Sequence, residues 1–225
     1  MPDAPLALTN DRLKTPRAAG LAGILFAALF AGSIVLIRLA IPPELGDQGA
    51  WLHERAGSVA VGLGLVPFAG IAFLWFMGVV RDRIGFREDQ FFSTVFFGSG
   101  LLFLAMTFVS AALAGGLLTA HSVEAGRVID SGLYTLVRAV MLRISNAYAV
   151  KMAGVFMISL ATIAMRTRVM PRGLTVASYA LALILLLSIG RSLWVLLIFP
   201  VWVCAVSVYI LVSNLRRDPI EEKPV

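Results

Sequence analysis

The chain is poor in nearly everything that builds a water-soluble enzyme. It has one cysteine, two histidines and only 14% charged residues across 225 positions. A soluble domain of this length carries about 25% charged residues, so no polar shell is available to wrap a core against water. Cys204 has no partner for an intramolecular disulfide, and a thiolate metal site needs several ligands. It reads as a small side chain packed in an apolar run. His53 and His121 fall in expected loops and are too few to ligate a haem in each leaflet. No metal or other cofactor is expected.

Acid at membrane depth is also missing. All 13 Asp and Glu residues fall in gaps or tails between apolar runs. Ionisable groups within the bilayer are costly and mark ion pathways, so a proton- or sodium-coupled transporter built around a buried carboxylate loses support. There is no HExxH zinc helix, no phosphate-cradling glycine loop and no carboxylate cluster. Gly98-Ser99-Gly100 carries part of a serine-protease elbow, without the further glycine or a histidine in a later span. A serine without a base is not activated.

What the chain does have is apolar length. Hydrophobic residues make up 59% of it, and mean hydropathy is +0.89. Six runs stand out, at about 18–41, 56–80, 90–118, 145–165, 173–189 and 193–214. Each reaches the roughly 17–25 residues needed to cross the hydrocarbon. The first is longer than the apolar core of about 7–15 residues in a signal peptide, and Arg38-Leu39-Ala40-Ile41-Pro42 is a poor cleavage context, so it reads as a retained span. Gly190-Arg191-Ser192 separates the last two runs as a tight hairpin. The start of the fourth is open, because Tyr134–Arg143 reads either as a helix on the outer surface or as an extension of that span.

The net charge of +6 does not imply nucleic acid, since no loop carries a basic face with interleaved aromatics. The cations sit beside apolar runs, where headgroups and the insertion machinery answer to them. Alternate gaps hold Arg12, Lys14, Arg17; Arg81, Arg83, Arg87; Arg166, Arg168, Arg172; and Arg216, Arg217, Lys223. The seven others, Arg38, Arg55, Arg127, Arg138, Arg143, Lys151 and Arg191, are spread over the opposite side. This bias puts both termini, residues 1–17 and 215–225, in the cytoplasm. Arginine dominance with abundant Ala, Val, Leu and Gly suggests a bacterial plasma membrane.

Aromatic rings fit the same frame, with Trp51, Tyr134 and Trp194 at the outer boundary and Phe91 and Phe92 at the inner one. Counting back from Arg166 at about 1.5 Å per residue puts Lys151 roughly 8 Å inside the outer boundary of a 30 Å core, with Asn146 near that boundary. Arg143, Asn146 and Lys151 share a broad helical face, so they are candidates for a polar vestibule that takes an anion or lipid headgroup. Anchoring of the span, with the lysine snorkelling outward, is the simpler alternative.

Pro67 and Pro200 lie inside spans two and six, where a missing N–H favours kinks. A 3+3 inverted repeat pairs span two with span five, which has no proline, and that mismatch counts against a transporter. Ala28/Gly32, Ala56/Ala60/Gly64, Ala111/Gly115 and Ala112/Gly116 have the spacing that lets helices approach closely, within the chain or in a homo-oligomer.

The sequence thus implies an all-α, polytopic membrane protein: one domain over 18–214, a six-helix bundle with both ends inside. The leading functional expectation is a non-catalytic component that binds membrane lipids or a membrane-protein partner. A small-solute transporter or channel lined by spans two, four and six is the alternative, and a lipid-modifying enzyme the third.

Overall fold

The computed structural model describes residues 15–42, 49–84, 90–123, 129, 132–167, 170–188 and 194–215. Residues 1–14 and 216–225, Gly190-Arg191-Ser192, residues 85–89, and the acids Glu44, Asp47, Glu124 and Asp130 lie outside them.

Every regular element among the described residues is helical. They are α1 (Thr15–Ala40), α2 (Trp51–Glu54), α3 (Ala56–Ile84), α4 (Gln90–Val123), α5 (Leu133–Arg143), a π-helical turn (Ile144–Ala149), α6 (Val150–Thr167), α7 (Arg172–Leu187), a 3₁₀ turn (Val195–Leu197) and α8 (Ile198–Leu215). Helix is the form that satisfies each backbone polar group within its own segment, which lipid demands. Five helices are long and apolar enough to cross a membrane: Gly20–Ala40, Ala56–Arg81, Phe91–Val123, Leu133–Thr167 and Val195–Ser213. The chain is therefore a multi-pass helical membrane protein. The apolar α7 has 16 residues, about 24 Å of helix.

Between the two readings of Tyr134–Arg143, the structure selects the extension. Winding continues without a break from Leu133 to Thr167. The helix widens to π geometry at Ile144–Ala149, a rare departure that recurs at functional sites.

α1 lies between α3 and α8; α4 packs on the α5–α6 helix, and α7 packs mainly on α6. One phenylalanine from each long helix meets at the centre. Phe73 of α3 lies 4.8 Å from Phe26 of α1, 5.5 Å from Phe103 of α4, 5.2 Å from Phe156 of α6 and 5.6 Å from Phe199 of α8, centroid to centroid. Tilted and edge-on arrangements suit the ring quadrupoles. In lipid, where tails are as apolar as leucine, such close packing is what drives helices together. α7 contributes no ring to this cluster and is joined by polar contacts. Ser178 accepts from Trp202 Nε1 at 2.8 Å, and Tyr179 and Thr162 share a hydroxyl bond at 2.7 Å.

Glycines permit close approaches between helices. A Cβ on Gly62 would meet Ile37 Cγ1 at 2.9 Å and the Ser33 carbonyl at 3.3 Å, and one on Gly154 would meet Leu186 of α7 at 3.0 Å. The repeats singled out by spacing mostly point elsewhere: Ala28, Ala60, Gly64, Ala112 and Gly116 are exposed.

Candidate functional site

Three arginines gather at the C-terminal end of α1, where free carbonyls leave partial negative charge. Arg55 donates to the Leu39 carbonyl at 2.6 Å, and Arg138 donates to the Pro42 carbonyl. Arg138 is fully buried. It also donates to the Tyr134 hydroxyl, at 2.6 Å, which accepts from Trp51 Nε1 at 2.8 Å as well. A buried guanidinium is tolerated only with partners of this kind. Trp51 and Tyr134, expected as rings of an outer belt, are instead buried and bonded to each other. Trp194 is exposed, as a belt residue should be.

Arg38 is the third. It is half-buried in the last turn of α1, and its Nη2 donates to Asn146 Oδ1 of the π turn at 2.6 Å. Glu54 is the only carboxylate whose side chain is described, and it stands exposed on α2. Among the described residues no ion pair neutralises Arg38.

Beside this guanidinium lies a cavity of about 90 Å³, walled by α1, α3, α4, the end of α5, the π turn and Leu196. Phe30, Ile34 and Val66 are among its apolar lining. Three of its hydroxyls donate to backbone: Ser33 to the Gly62 carbonyl, Ser110 to Met141 and Thr107 to Phe103. The fourth, Ser145, lies 3.4 Å from the Leu142 carbonyl and 3.5 Å from Asn146 Oδ1. Arg38 and Ser145 are the polar groups of the lining that remain for a ligand, with the Asn146 amide bonded to Arg38. The arrangement is an apolar slot with a cationic mouth.

Of the residues singled out from sequence, Asn146 reaches this site, while Arg143 and Lys151 are exposed. A π turn lies between 143 and 151, which shifts the angular register of these positions from that of a plain α-helix. The cation bonded to Asn146 is Arg38. The sequence reading counts Arg38 only as an outside cation. Its position within the 18–41 run, at membrane depth, was the available signal.

Pro67 sits in the interior of α3. It deprives the Leu63 carbonyl of its helical donor, and Leu63 lines the cavity. Pro200 is the third residue of α8, and the winding changes from 3₁₀ to α just upstream of it. It lies in a first turn, where a missing N–H costs little, rather than at a mid-helix kink. Ser99 donates to its own helix at the Val95 carbonyl, 2.7 Å away, as an unactivated serine does.

His53 and His121, expected in loops, lie in α2 and in the last turn of α4. Their rings touch. No protein-family model, curated protein or solved structure matches the chain.

Proposed function

We propose that the chain is a non-catalytic membrane component that holds an anionic amphiphile, with the acidic head on Arg38 and Asn146 and the start of the apolar chain in the slot behind them. The observation that carries this reading is a half-buried guanidinium, bonded to an amide oxygen, that lines an apolar cavity. Charge-assisted hydrogen bonds are strong at such sites, and the bilayer itself supplies ligands with an acid head and an apolar tail. In this reading the protein has six spans, both termini in the cytoplasm, and α7 as the fifth span; the membrane is a bacterial plasma membrane. A free acyl acid and an anionic phospholipid share the chemistry required.

Native mass spectrometry of protein purified in mild detergent distinguishes the two by mass. One retained anionic species per chain is the expected result. Protein that retains only neutral lipid, or none, overturns the reading.

Transport of a small solute is the second reading. It draws support from the cavity wall, to which spans two, four and six all contribute, through Leu63, Ser145 and Leu196 among others. Flux into vesicles that depends on Arg38 is its test.

A further inference from the structure

The chain contains only two imidazoles, and the fold brings them together. His53 of α2 and His121 of α4 are 68 residues apart in sequence, yet His121 Nε2 lies 2.9 Å from His53 Nε2 and 3.4 Å from His53 Nδ1. The rings cross at 79°, with centroids 4.2 Å apart. Two imidazole nitrogens bound to one tetrahedral ion at about 2.0–2.1 Å are held roughly 3.3 Å from each other. The two observed separations bracket that value.

His121 is buried, so packing fixes the ring whose Nε2 faces His53. His53 is exposed, so an ion between the rings would be held from the protein side and open to water on the other. No third His, Cys, Asp or Glu joins the pair among the described residues. Water would fill the remaining positions, as in sites that keep open coordination.

We propose that His53 and His121 bind one divalent transition-metal ion and tie α2 to the end of α4. Two imidazoles suit Cu²⁺, Ni²⁺ and Zn²⁺; Ca²⁺ and Mg²⁺ need oxygen ligands that the pair does not offer. The site shares no residue with the amphiphile slot, so either proposal stands if the other falls.

The test uses the full chain in detergent with any affinity tag removed, so that no imidazole but these two is present. Titration with CuCl₂ should show one ion bound per chain, and electron paramagnetic resonance should show coupling to imidazole nitrogen. Zn²⁺ should compete and Mg²⁺ should not. His53→Ala changes an exposed side chain and should weaken Cu²⁺ at least about tenfold; His121→Gln should do the same, with thermal unfolding followed in parallel. Absence of uptake, absence of nitrogen coupling, or equal Cu²⁺ affinity in His53→Ala overturns the proposal.

Discussion

Arg38 and Asn146, 108 residues apart, are joined by a 2.6 Å hydrogen bond that ties the end of α1 to the π turn. The bond orients the guanidinium at the mouth of the cavity. Hydrogen bonds to charged groups contribute about 1.5–3 kcal/mol. Arg38→Met should therefore lower retention of an anionic amphiphile by roughly 10- to 100-fold, read as the ligand-bound fraction in native mass spectra. Lys151→Met alters an exposed residue and should leave that fraction unchanged. Equal loss in both variants would return the site to the face proposed from sequence.

Tyr134→Phe removes the oxygen that accepts from both Trp51 and Arg138. Two buried donors lose an acceptor, each at a cost of about 1–3 kcal/mol. Trp51→Phe removes a single donor and should cost less. Thermal unfolding in detergent should rank unaltered protein above Trp51→Phe, and Trp51→Phe above Tyr134→Phe.

Gly62 and Gly64 are near neighbours on α3 with opposite surroundings. Gly62→Val would force α1 and α3 apart at Ile37, whereas no side chain or neighbouring helix lies within 4 Å of a Cβ on Gly64. Overpacking costs about 1–3 kcal/mol. Gly62→Val should lower the unfolding temperature, and Gly64→Val should change it little.

The six-span arrangement predicts opposite labelling of two exposed positions. In a Cys204→Ala background, Ala50→Cys should react with a membrane-impermeant maleimide on intact cells. Gly173→Cys should react only after permeabilisation. Reaction of both on intact cells would break the assigned alternation.

The helical membrane class was legible because apolar length and sparse charge leave a chain few other solutions. The segment PFAGIAFLWF, residues 67–76, carries Phe73 and Phe76 into the core, with Phe68 and Trp75 facing outward. Spacing could not say which small residues touch a neighbour: Gly62 and Gly64 obey the same local rules, and only the position of α1 separates them. Trp51 and Tyr134 look like boundary rings because the sequence does not show a partner 83 residues away. The site was half legible. Asn146 is legible through the face it was expected to share with Arg143 and Lys151, whereas the π turn that carries it, packed on α4, leaves no mark in the spacing. The meeting of His53 with His121 left no local trace at all.

The five-ring centre also bears on how the protein is made. Phe199 belongs to the last helix, yet it touches Phe26, Phe73, Phe103 and Phe156 from four earlier ones. The four earlier rings therefore lack a shared neighbour until α8 is inserted, and the centre of the bundle closes only after all five helices have entered the bilayer.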